Sequence, residues 1–220
     1  MPAIFTDRRS GSSLAPYESL NLALHVGDVE VSVLKNRALL EKIYGPIQFM
    51  NQLHGDSFAV VNEKCGLDPT CDALITSTPG LAVAVMVADC IPLLLSSTQV
   101  VAAVHVGRKG LINKIAIQVI KEMVRLGATS IHAQLGPSIC GVCYEVPQAM
   151  ADEVLATHPA AFALTRKSTP ALDLPKALIG DLVSHGVTYE ASTICTLEDS
   201  SYFSYRRHNL TGRNAGVIWL

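Results

Sequence analysis

Three residues of this 220-residue chain, His54, Cys90 and His105, are of types that can do chemistry and sit where a rigid scaffold could hold them. His54 lies in Asn51-Gln52-Leu53-His54-Gly55-Asp56, and the glycine after it permits a tight turn. Cys90 follows Ala88-Asp89 at the end of the apolar run Val83–Val87, and Pro92 argues against simple continuation of a central strand. His105 closes the run Val100–Val104 and precedes Gly107-Arg108-Lys109-Gly110, which predicts a strand-to-helix corner. Singly, each has an ordinary reading: a loop histidine, a buried thiol and a hydrogen-bonded core histidine. Together, two imidazoles and one thiolate make a catalytic zinc set, with the fourth tetrahedral position left for water or substrate. The long intervals between them match none of the short zinc-finger patterns.

Two further groups of residues carry chemistry. Cys140-Gly141-Val142-Cys143 is either redox-active or half of a structural zinc site; no second such pair completes four sulfurs, so structural thiols are expected. Arg206, Arg207 and Arg213 put three guanidiniums within eight positions in an apolar neighbourhood, which suits a phosphate or carboxylate, although such residues also serve as surface charge. Asp89, beside Cys90, is expected to transfer a proton or to orient the site, or else to bond nearby backbone amides in a turn. No dinucleotide fingerprint, phosphate loop, nucleophile elbow or His-Glu-x-x-His helix occurs.

The elements that must position these residues follow from composition and pattern. Hydrophobic residues are 49% of the chain and charged ones 16%, enough apolar material for a sizeable core. The net charge of −2 offers no global field for nucleic acid or an anionic membrane. Val83–Val87 and Val100–Val104 read as central strands; Phe58–Val61, Ile131–Leu135 and Ala215–Trp219 read as shorter ones. The stripe Ile112, Ile115, Ala116, Val119, Ile120, Met123 predicts one helix ending at Leu126-Gly127. Further helices are expected over 30–43, 147–157 and 175–185, and a flexible loop over 165–170. Strands and helices interleave without regular alternation, which predicts a single α+β domain over 1–220. The N-terminus reaches charge before any apolar segment of signal length, and the most apolar stretch is too short to span a bilayer. A cytoplasmic protein with free thiols is expected.

Many short motifs in one order carry a likeness. They include Phe5-Thr6-Asp7-Arg8, Asn21-Leu22, His25-Val26-Gly27-Asp28, Gln52-Leu53-His54-Gly55, Asp72-Ala73-Leu74-Ile75-Thr76 and Ala88-Asp89-Cys90-Ile91-Pro92. They continue through His105, Gly136-Pro137-Ser138-Ile139, Tyr144-Glu145-Val146, Phe203-Ser204-Tyr205-Arg206-Arg207 and Thr211-Gly212-Arg213. Over nearly its whole length the chain resembles the bacterial laccase-domain family, once called multicopper polyphenol oxidases and now described as zinc-dependent purine nucleoside phosphorylases that also deaminate adenosine. The resemblance implies an α/β/β/α sandwich of mixed sheets and a metal held by His54, Cys90 and His105. It also implies a purine nucleoside and phosphate as substrates. Where the family reads His-Ala-Gly-Trp-Arg-Gly, this chain has His105-Val106-Gly107-Arg108-Lys109-Gly110, so a lysine replaces an arginine's bidentate fork.

On this reading zinc polarises an oxygen while Arg206 or Arg207 holds the anion. Three other readings use the same residues. A copper oxidase of phenols would want an axial methionine, but no His-x-His pair of an oxygen-reducing cluster occurs. A metal-free hydrolase or deamidase would use Cys90 as nucleophile and His105 as base. A non-enzymatic module would close the metal site with a fourth ligand from Cys65, Cys71 or Cys195.

Overall fold

The structure, a computed structural model, describes residues 2–220 and contains two main sheets stacked face to face. The first is built from β1 (Ala3–Phe5), β2 (Ile47–Gln48), β5 (Ala82–Val87) and β12 (Asn214–Ile218), in the order β1-β12-β5-β2. The second is built from β3 (Phe58–Val60), β4 (Ala73–Thr76), β6 (Ile91–Ser96), β7 (Val101–Val106), β8 (His132–Leu135) and β11 (Thr188–Ala191), in the order β11-β8-β6-β7-β4-β3. A separate hairpin pairs β9 (Phe162–Leu164) with β10 (Pro170–Leu172). Both main sheets are mixed: β2 runs parallel to β5, β3 to β4 and β11 to β8, and the other pairings are antiparallel.

The continuous apolar runs reflect burial on both faces. In β5, Ala82, Ala84 and Met86 join the cluster under helix α1 (Glu30–Tyr44), whereas Val83, Val85 and Val87 meet Leu74, Leu94, Val101 and Ala103 of the second sheet. The outer face of that sheet is covered by α2 (Arg108–Ile112), α3 (Ile115–Arg125), α4 (Gln148–Leu155) and α5 (Leu174–Ser184). The layers are therefore α/β/β/α, as the resemblance implied. Asp173 caps α5 by accepting the Lys176 amide at 2.9 Å, with Pro175 in the first turn.

Four local expectations change. The single amphipathic helix is broken into α2 and α3 by Lys114, which takes a left-handed φ of 58°. The period stays helical across the break, so hydrophobic spacing alone could not reveal it. Pro92 does lie in a central strand: it pairs with His105 of β7, but the ladder to β8 begins only at Leu93. At the end of that ladder the Pro92 carbonyl accepts the Gly136 amide at 3.0 Å, so proline forfeits only the reciprocal bond of this terminal rung. His105 lies within β7, which continues to Val106, instead of at the corner after it. Residues 165–170 form a hairpin turn closed by the Thr165 amide on the Thr169 carbonyl at 2.9 Å.

Candidate metal centre

Topology brings the three expected ligands to one edge of the sandwich. The chain passes from the first sheet to the second twice at this edge, between β2 and β3 and between β5 and β6. Because β2 and β5 are parallel, both crossings leave from the same end. The first carries His54 and the second Asp89-Cys90. Ile91 pairs with Val106, so the antiparallel register of β6 and β7 returns His105 to that end. In β7, residues 101 and 103 face the space between the sheets, and His105 shares their side of the strand.

The donor atoms of His54, Cys90 and His105 lie within 4.8 Å of one another. The two imidazoles meet edge to face, with centroids 4.6 Å apart. Gly107 completes the enclosure: a Cβ there would lie 3.1 Å from Cys90 Sγ and 3.9 Å from His105 Nε2. The small space that the donors share thus exists because this residue has no side chain. Two imidazoles, one thiol and room beside them fit a borderline-soft divalent cation. Among the described residues no fourth protein ligand joins the three, which leaves a coordination position open. Of the cysteines considered for closing it, Cys71 is buried against Met50, Cys65 is exposed, and Cys195 lies with Cys140 and Cys143. The closed site of a bracing module is therefore not formed. Met50 and Met86 direct their sulfurs at Cys71 and Arg37, and Met123 and Met150 belong to the helix-side core, so none of these four is placed as an axial copper ligand.

Asp72, which the motif reading quoted without assigning it a role, organises the centre. Its carboxylate is fully buried and accepts His105 Nδ1 at 2.8 Å and the amides of His54 at 2.9 Å and Gly55 at 2.7 Å. One acidic side chain thereby fixes the His105 ring, leaving Nε2 for the shared space, and clamps the loop that carries His54. That loop includes His54 at a left-handed φ of 60°. The signal for Asp72 is its setting: a lone carboxylate immediately before the fully buried strand β4 must be paired, because an isolated buried charge is costly.

Burial opposes ionisation of Cys90, but the adjacent His105 and His54 imidazoles outweigh it and bring the thiol down to about 6. Burial likewise disfavours charged His105, but the Cys90 thiolate and Asp72 outweigh it and push the imidazolium up to about 9. Between these values the metal-free pair is thiolate and imidazolium. Metal-free protein should therefore alkylate at Cys90 with a midpoint near pH 6, since the thiolate is the nucleophile. Site-resolved mass spectrometry after pulsed iodoacetamide checks this; a midpoint near 9 would contradict it, and bound zinc should protect.

The arginine segment packs beside the centre through Asp89. Asp89 has a left-handed φ of 93°, and its carboxylate accepts the Thr196 hydroxyl at 2.7 Å and the Arg206 amide at 2.7 Å. Its carbonyl accepts the Ile139 amide at 2.9 Å, so Asp89 ties three segments together. Arg206 donates Nη1 to the Glu145 carbonyl at 2.8 Å and lies 5.3 Å over the Tyr144 ring, leaving its other donors for an anion. Arg207, the other expected anion holder, is committed to the chain itself: Nη1 bonds the carbonyls of Thr196 and Leu197 at 2.8 and 3.0 Å, and Nη2 bonds that of Tyr202.

Arg213 lies within reach of the same charges. Burial lowers its guanidinium's pKa, and Cys90 and Asp89 pull it back. Of the two residues that depart from the family pattern, Arg108 pairs with Glu153. A cleft of about 510 Å³ is lined by His25, Arg37, Phe49, Asn51 and Met86 among others, and its lining includes none of His54, Cys90 and His105.

Comparison with known proteins agrees with these motifs. A family model described as multi-copper polyphenol oxidoreductase laccase matches residues 2–220. A Streptomyces coelicolor protein named purine nucleoside phosphorylase is 45% identical over 98% of this chain and 94% of its own. One of the same name from Corynebacterium glutamicum is 44% identical over 99% and 93%. The crystal structure of a Neisseria meningitidis protein superposes with a TM-score of 0.91 at 33% identity, covering 99% of this chain and 93% of that one.

Proposed function

Since the chain belongs to the multi-copper polyphenol oxidoreductase laccase family, whose relatives cited above are named purine nucleoside phosphorylases, we propose that it is itself a zinc-dependent purine nucleoside phosphorylase. The observation that carries this reading is the open set of His54, Cys90 and His105, three donors within 4.8 Å and no fourth. Adenosine, inosine, guanosine and methylthioadenosine are the candidate nucleosides, and deamination of adenosine is a second activity that the same site would support. No helix among the described residues is long and apolar enough to cross a membrane.

His54, Cys90 and His105 would hold the zinc, which when bound supplies Lewis-acid polarisation of an oxygen at the reacting centre. Asp72 keeps His105 in the tautomer that presents Nε2. Arg206, braced by Asp89 through its amide and by Glu145 through Nη1, would hold phosphate, with Arg213 adding positive charge. Arg207 would act indirectly, by fixing the turn 196–199 on which Asp89 and Arg206 rest. In phosphorolysis a phosphate oxygen forms a bond to ribose C1′ as the bond from C1′ to the purine nitrogen breaks. The electron pair leaves with the base, and the phosphate's proton goes to the base. Positive charge from the guanidiniums would align the dianion for that displacement.

Purified enzyme with inosine should release hypoxanthine and ribose 1-phosphate only when phosphate is present. Release at the same rate in phosphate-free buffer would make it a hydrolase and defeat the phosphorylase reading. With adenosine, appearance of inosine in phosphate-free buffer reports deamination separately from adenine release.

A further inference from the structure

Cys140, Cys143, Cys195 and Glu198 form a second side-chain cluster that the reaction above does not use, and we propose that it is a closed structural zinc site with three thiolate ligands and one carboxylate. The ligand atoms of all four lie within 4.8 Å of one another. Ligands about 2.3 Å from a tetrahedral zinc stand roughly 3.8 Å apart, so only small side-chain adjustments separate this arrangement from a filled site.

Strand pairing builds the cluster from residues remote in sequence. β8 and β11 are parallel neighbours, so the segments following them emerge at the same sheet end, and Ser138 bridges Cys195 in the same sense. Each segment then makes a tight turn. The Cys143 and Tyr144 amides bond the Cys140 carbonyl at 3.0 Å, and those of Glu198 and Asp199 bond the Cys195 carbonyl at 3.1 and 2.9 Å. Both turns present two ligands three residues apart. Across them the Cys140 amide donates to Cys195 Sγ at 3.4 Å, and Cys143 Sγ lies 3.5 Å from Glu198 Oε1. An amide directed at a sulfur stabilises a thiolate, the form that binds metal.

Charge agrees with this assignment. Burial and the neighbouring thiols hold Cys140 and Cys143 above the usual thiol range, whereas backbone amides outweigh burial and lower Cys195. Three crowded thiols resist becoming thiolates together, a conflict that a divalent cation removes. With that cation the four ligands carry a net negative charge, and Arg166, paired to Glu198, lies beside them to offset it. Three cysteines cannot all be paired with one another as disulfides, so at least one thiol of the cluster stays free to ligate. Soft thiolates in a closed four-ligand set select zinc over magnesium or calcium.

The position defines what the metal would do. It would staple the 140–143 turn to the 195–199 turn, whose carbonyls hold Arg207 and whose Thr196 hydroxyl holds Asp89. It would thus brace the platform under Arg206 without touching substrate.

Elemental analysis of the purified full chain should find about two zinc ions per chain, falling to about one in Cys143→Ser and, independently, in Cys90→Ser. Unchanged zinc in Cys143→Ser would overturn the proposal, as would an intact mass two hydrogens light that returns on reduction. Should Cys143→Ser not fold, cobalt-loaded Cys90→Ser gives the answer. Intense near-ultraviolet thiolate-to-cobalt absorption with tetrahedral visible bands is expected, and a spectrum lacking both would overturn the assignment.

Discussion

Replacing Cys90 by serine is expected to lower zinc affinity at the catalytic centre and nucleoside turnover together, each by well over 100-fold. Loss of an outer-sphere partner alone typically costs about 10–100-fold, and Cys90 is placed to bind the metal directly. Serine is close in size, so the fold should survive. Cys90 is partly buried and packs against the edge of the layer between the sheets, in a turn held by the backbone of Asp89, where serine fills nearly the same volume. The variant therefore separates ligation from packing. Circular dichroism should stay unchanged while the metal and phosphate-dependent purine release are lost. Full activity in Cys90→Ser would remove the thiol from the reaction, and so would dismiss the metal-free alternative in which Cys90 is the nucleophile.

Asp72→Asn should lower zinc affinity about 10–100-fold and also destabilise the fold by about 2–4 kcal/mol. The carboxylate accepts one imidazole N–H and at least two backbone amides while fully buried. An amide keeps one acceptor and presents a donor to the others, so amides of the His54 loop lose their partner. The two consequences can be told apart. Denaturant melts of metal-free protein report the loop, and zinc titration of folded protein at low temperature reports the orientation of His105. Lowered stability with unaltered zinc affinity would make Asp72 a purely structural residue.

The three candidate ligands could be picked out in sequence because each stands at an abrupt end of an apolar run or loop, and because the surrounding motifs resemble one family throughout. Two central strands were legible because Val83–Val87 and Val100–Val104 are apolar at consecutive positions, as strands covered on both faces are, while the layered arrangement was implied by the resemblance. Asp72 was hidden because its partners are distant, 33 positions away for His105 and 18 for His54. Their meeting depends on which strands pair. The same holds for Cys195, which joins Cys140 across 55 positions only because β11 lies parallel to β8.

Pro92 shows a different limit. A proline argues against a central strand unless it falls at the end of the neighbouring ladder, and that offset is a property of register, not of composition. The arginines show a third. Sequence proposes guanidiniums for an anion, but the carbonyls of 196, 197 and 202 claim those of Arg207, and nothing in the spacing distinguishes it from Arg206.

The most direct test is zinc titration of metal-free protein, with phosphate-dependent release of hypoxanthine from inosine as the readout. Activity should be negligible without metal, rise with added zinc until the His54, Cys90 and His105 site is filled, and stay absent in Cys90→Ser at any zinc concentration. Full phosphorolysis by the metal-free protein, or its restoration in Cys90→Ser, would contradict a catalytic zinc held by these three residues.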